Sequence, residues 1–163
     1  MENRQKMALD DPRTGAQRGL QTPTEAPLAR LWLGLALLLA AGAALNGVFM
    51  LAAPLRWYFA VPGVTATGAF NQHFIRDIGE IYVLIGAAFV MGVWRRESRV
   101  WLWTAATVWL AGHALFHFWE VAVGICGVSA VPRDFPGVTL PAVLGAVLSL
   151  WAHRSALRSA RGT

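Results

Sequence analysis

Cysteine appears once, as Cys126, and lysine once, as Lys6. A single thiol can form no internal disulfide and has no second thiolate with which to share a metal, so neither a disulfide scaffold nor a thiolate zinc site fits. Cys126 reads as a small apolar filler, with an intermolecular bridge as the minor alternative. Charge is scarce as well, at 14% of residues against 56% hydrophobic. There is no phosphate-binding glycine loop and no Ser-His-acid order that stands out, which removes the nucleotide-binding and serine-nucleophile classes. What remains is greasy and rich in tryptophan, with eight Trp and a positive mean hydropathy. A soluble domain of this length would interleave apolar with polar residues. Here the apolar residues gather in long blocks, the mark of an integral membrane protein.

Four blocks can be drawn. Leu31 to Ala53 carries no charge and stops at Pro54; at 1.5 Å per residue it reaches about 34 Å, enough for a hydrocarbon core of about 30 Å. The others are 73–94, 100–124 and 135–152. In the last, Pro136 suits the helix entrance and Pro141 a kink. The fold class expected is all-α: a polytopic membrane protein with four transmembrane helices in an antiparallel bundle. Residues 1–30 read as a disordered cytoplasmic tail, 31–153 as the transmembrane domain and 154–163 as a basic tail. A signal-peptide reading of the first block is disfavoured by its long polar leader and its length.

Basic residues set the orientation. Eleven lie in the N-terminal leader, between blocks two and three, and after block four, whereas the other two links hold only Arg56 and Arg133. The positive-inside rule then puts both termini in the cytoplasm. The net charge of +5 is thereby explained by topology and needs no nucleic acid. The expected partners are the lipid bilayer and a homo-oligomer or larger membrane complex. The link from Pro54 to Gln72 reads as a cap along the outer surface.

Two polar stripes stand out. In "NQHFIRDIGEIYVLIG", His73, Arg76, Asp77 and Glu80 fall within about 100° of helical arc. In "GHALFHFWE", His113, His117 and Glu120 follow at i, i+4 and i+7, again one face. If blocks two and three are antiparallel neighbours, both stripes occupy one layer, Glu80 about 12 Å deep opposite His117 and Asp77 about 8 Å deep near Glu120. Asn46 of the first block falls about 10 Å deep on the same side. An ionised group at a bilayer centre costs about 2.5 to 3.5 kcal/mol on insertion scales, so such groups normally face the interior and pair.

Several chemistries suit this set. The plain one is structural: His73 with Asp77, Arg76 with Glu80, and the remaining imidazoles hydrogen-bonded to carboxylates as polar glue. A second is a Zn, Mn or Fe site on His113, His117 and Glu120, since H-x-x-x-H puts two imidazoles on one face. Haem on His73 or His117 is the less favoured cofactor, because carboxylates seat a porphyrin poorly. A third is a pocket for a polar small molecule or quinone headgroup, with Asn46, His73, Asp77 and Glu80 as binding residues, Glu80 as base and Arg76 holding an anionic group. Whether the chain is an enzyme stays open. Runs of small residues in "GLALLLAAGAALNG" and "GAAFVMG" read as close helix packing, with a homodimer seam as the other possibility.

The stretch His73, Phe74, Arg76, Asp77 and Gly79, together with "GHALFHFWE", resembles a group of small bacterial four-helix membrane proteins, similar in size and hydropathy to the DoxX-like set. That resemblance implies a four-helix bundle in a bacterial inner membrane, and it carries over no catalytic residue.

Overall fold

The structure, a computed structural model, describes residues 25–161. The leader expected to be a disordered tail lies, for residues 1–24, outside the described residues. The chain divides between Leu33 and Gly34; residues 25–33 are the first turns of the first helix, and the contacts that follow all lie in the unit from Gly34 onward.

The described residues are helical and contain no strand. Helix α1 is Glu25–Ala52, followed by two short helices, α2 (Pro54–Ala60) and α3 (Val64–Thr67). Then come α4 (Gln72–Trp94), α5 (Arg99–Ala122), a one-turn α6 (Ala130–Asp134) and α7 (Leu140–Arg161). α1 therefore begins six residues before the expected block, and α7 continues into the expected basic tail. Among the described residues three stretches are long and apolar enough to cross a membrane, Pro27–Ala52, Gln72–Trp94 and Ala130–Arg161. Large apolar side chains point away from the protein along these helices, Leu38, Leu45 and Leu84 among them. Such a belt is a poor surface for water and a good one for lipid.

Local signals explain the boundaries. Pro54 opens α2 at the first helical turn, where a missing N–H costs nothing. Asn71 caps α4, its side-chain oxygen accepting from the Phe74 N–H at 3.1 Å. Gly124, at φ 80°, ends α5 in the left-handed region, and the Glu120 carbonyl accepts from the N–H of Ile125 at 2.9 Å. Pro136 sits in a π-helical turn, Phe135–Thr139, that joins α6 to α7. The wider turn accommodates proline without breaking the rod.

Small residues fix how the long helices meet. A Cβ added to Gly47 would stand 2.8 Å from the Val83 nitrogen, and one added to Gly86 would stand 2.9 Å from the Ala40 carbonyl oxygen. α1 and α4 thus touch backbone to backbone, the packing that small residues permit in lipid. α4 and α5 lock at their other end through Trp103, which is fully buried and donates its indole N–H to the Phe89 carbonyl at 3.0 Å. Arg99 binds the last carbonyls of α4, Nε to Gly92 at 2.6 Å and Nη2 to Val93 at 3.2 Å. Its guanidinium lies over the rings of Trp103 and Trp151, at 5.4 and 5.5 Å. α5 meets α7 where Thr107 and Ser149 share a 3.0 Å hydrogen bond.

Candidate functional site

At the end of the helices that carries α2 and α3 lies a cavity of about 1010 Å³. α1 contributes Asn46 and Met50, the short helices Trp57 and Tyr58, α4 Ile78 and Tyr82, and α5 His113, His117 and Glu120. Arg133, Asp134 and the π-helical turn complete the wall.

Each polar group on this wall has a traceable position. Trp57 donates its indole N–H to Asn46 at 2.9 Å, which binds the short helix α2 to α1. Tyr58 donates to the Gly68 carbonyl at 2.7 Å and so ties α2 to the chain beyond α3. Arg133 grips Asp134 with Nε at 2.6 Å and Nη2 at 3.0 Å, and Asp134 also meets Nδ1 of His117 at 3.1 Å. Gly63, at φ 88°, leaves room for the guanidinium of Arg133, which any Cβ there would strike. His113 stacks on Trp109 with 5.1 Å between ring centroids and meets His117 edge-on at 4.8 Å. The Tyr82 ring packs edge-on against both Trp109 and His113.

Glu120 is the exception. It is 9% exposed, yet among the described residues no hydrogen bond or ion pair reaches its carboxylate. Among the described residues no buried side-chain oxygen lacks a hydrogen-bond partner, so the Glu120 oxygens are open at the cavity wall, within reach of whatever occupies it.

The structure divides the residues singled out in the sequence. His113, His117, Glu120 and Asn46 come together around the cavity. His73, Arg76, Asp77 and Glu80 do not; they lie on an exposed face of α4. The reason is the rotation of α4. Gly79 and Gly86 must face α1, and Ile85 and Phe89 are buried, which leaves the charged stripe pointing outward. His73 and Asp77 meet as expected, at 3.4 Å, but Arg76 donates to the Leu51 carbonyl at 3.2 Å rather than pairing with Glu80. No group of three His, Cys, Asp or Glu stands together among the described residues in a way that would hold a metal ion.

Sequence reasoning missed Asp134, Arg133 and Tyr82. Asp134 follows Arg133 in a link, outside any helical stripe, and only the return of α6 against α5 brings it to His117. Tyr82 offered a weak signal, a phenol two residues beyond Glu80 in an otherwise aliphatic run. Comparison with family models, with curated proteins and with solved structures finds no match.

Proposed function

We propose that this chain is a four-span membrane protein whose cavity receives the polar head of an amphiphilic small molecule, of the quinol or hydroxylated-lipid kind. The observation that carries this reading is Glu120, a mostly buried residue whose carboxylate, with no protein partner among the described residues, is open to a roomy cavity. At about 1010 Å³ the cavity stands at the upper end of the ~300–1,000 Å³ typical of ligand sites, with space for a ring and the start of an apolar tail.

The fourth span is α5. Its 24 residues reach about 36 Å, and it buries Trp103 and Glu120 while Val108 and Leu115 face out. A four-residue link joins it to α4, which favours antiparallel neighbours. With the basic clusters inside, both termini are cytoplasmic and the cavity opens in the outer half of a bacterial inner membrane. The size and span number fit the DoxX-like resemblance.

The wall selects the head chemistry. Arg133 is already committed to Asp134, so among the described residues no free cation on the wall greets an anionic group, and the Glu120 carboxylate disfavours one. A neutral head with O–H donors suits better: one hydroxyl donates to Glu120 while the Tyr82 hydroxyl and the His113 imidazole hydrogen-bond to the opposite oxygen. His117, oriented through Nδ1 by Asp134, is the group placed to take or return a proton, the arrangement of an oriented imidazole base.

Extraction of the detergent-purified protein followed by mass spectrometry tests this. The parent should retain an isoprenoid quinone or hydroxylated lipid near one per chain, and Leu144→Trp, which fills the cavity from α7, should retain about tenfold less. Equal retention by both chains, or retention of bulk phospholipid alone, would remove the cavity as a binding site and leave the polar groups as structural glue.

A further inference from the structure

The charged face of α4 does not line the cavity. His73, Asp77, Glu80, Leu84, Ala87 and Met91 are all exposed and follow one another at alternating spacings of four and three. α4 has 23 residues, and about 20 are needed to cross a hydrocarbon core, so measured from Trp94 the core begins near residue 75. Asp77 and Glu80 therefore lie inside it on an outward face, where lipid offers no hydrogen bond. Something other than lipid must cover them.

We propose that the occupant is a second copy of this chain, packed parallel against α4 about a two-fold axis along the membrane normal. The inference rests on reading α4 as a span. Two copies inserted in the same direction present identical residues at identical depth, so a covering surface is self-complementary only if it carries both signs of charge in one layer. This one does. In knobs-into-holes packing of a 4-3 seam, Asp77 of one copy enters a hole made by His73, Arg76, Asp77 and Glu80 of the other. Each Asp77 then meets Arg76 and His73 of the other copy, which offset the Asp77 and Glu80 carboxylates in the same layer, and the symmetry returns the same contacts. Arg76 spends its Nε on the Leu51 carbonyl, which leaves the terminal nitrogens for the other copy. Leu84, Ala87 and Met91 continue the seam toward the opposite end with apolar contact. A peptide or subunit of uniform charge would leave half of these groups unmatched.

Disulfide cross-linking in native membranes tests the seam, in a chain whose single cysteine is removed by Cys126→Ser. Leu84→Cys should give a cross-linked dimer on mild oxidation, whereas Leu115→Cys, equally exposed on α5 at 68%, should not. Asp77→Arg should lower the cross-linked fraction about tenfold, the loss expected for a charge-assisted contact, and adding Arg76→Asp should restore it. Equal cross-linking at Leu84 and Leu115, no cross-link at Leu84, cross-linking to a different polypeptide, or indifference to the charge reversal would each overturn the dimer. A chain recovered outside the membrane fraction would overturn the span as well, and the two failures are thereby told apart.

Discussion

Trp101 and Trp103 lie two residues apart on α5, one 79% exposed and the other fully buried. Replacing each with alanine tests the rotation of the helix that hydropathy places least well. Trp103→Ala removes a side chain held among Phe89, Trp151 and Arg99 and deletes the bond to the Phe89 carbonyl. Large-to-small changes of this size cost about 3 to 5 kcal/mol in a closed core. Trp103→Phe keeps a ring and loses one hydrogen bond with part of the surface under Arg99, about 1 to 2 kcal/mol. Trp101→Ala removes a side chain that is largely exposed and should change stability by less than about 0.5 kcal/mol. Thermal unfolding of the purified variants, read as the fraction that remains monodisperse, gives the order Trp103→Ala, Trp103→Phe, Trp101→Ala. If Trp101→Ala is as damaging as Trp103→Ala, α5 is turned the other way and the cavity wall built on it is lost.

The close approach of α1 to α4 predicts that Gly79→Leu costs about 1 to 3 kcal/mol through overpacking, because a Cβ there already stands 2.9 Å from that of Met50; an unchanged folded yield in detergent would show that the helices lie farther apart. Asp134→Asn weakens contacts to both Arg133 and His117, and since Arg133 is about a third exposed the expected loss is about 1 kcal/mol, measured by the same unfolding assay, with no loss contradicting the clamp. Cysteines introduced at Thr65 and at Arg96 report topology. An impermeant maleimide on intact cells should label the first and not the second, and the reverse pattern would invert the orientation.

How much of this was readable in advance depends on which direction of the chain is asked. Along it, part: the first two apolar blocks end near Pro54 and at Trp94 where helices end, and the spacing of His113, His117 and Glu120 put them on the one face that lines the cavity, but α1 starts earlier, α7 runs on into the basic tail, and the short helices of the links were not foreseen. Around the helix axis, much less. The stripe at His73 to Glu80 is as coherent as the one on α5, yet the rotation of α4 is settled by Gly79 and Gly86, whose meaning depends on Gly47 and Ala40 in another helix. Contacts made by links were out of reach for a similar reason. Asp134 meets His117 because α6 folds back, and no local periodicity announces that. The small residues of α4 were legible as packing, and the structure sets Gly79 and Gly86 against α1 and Gly92 against Trp103 of α5.

In the proposed site Glu120 takes its donor from a ligand. Trp57 borders the cavity and Trp109 stacks on His113, so binding of a short-chain benzoquinone or its quinol is readable as quenching of tryptophan fluorescence. Titration of the purified parent with the quinol should saturate near one per chain. Glu120→Gln should weaken it by about tenfold to a hundredfold, the equivalent of one hydrogen bond to a charged group, with the oxidised quinone affected less because it has no hydroxyl to donate. Non-saturating quenching, or equal affinity of parent and Glu120→Gln for the quinol, would contradict it.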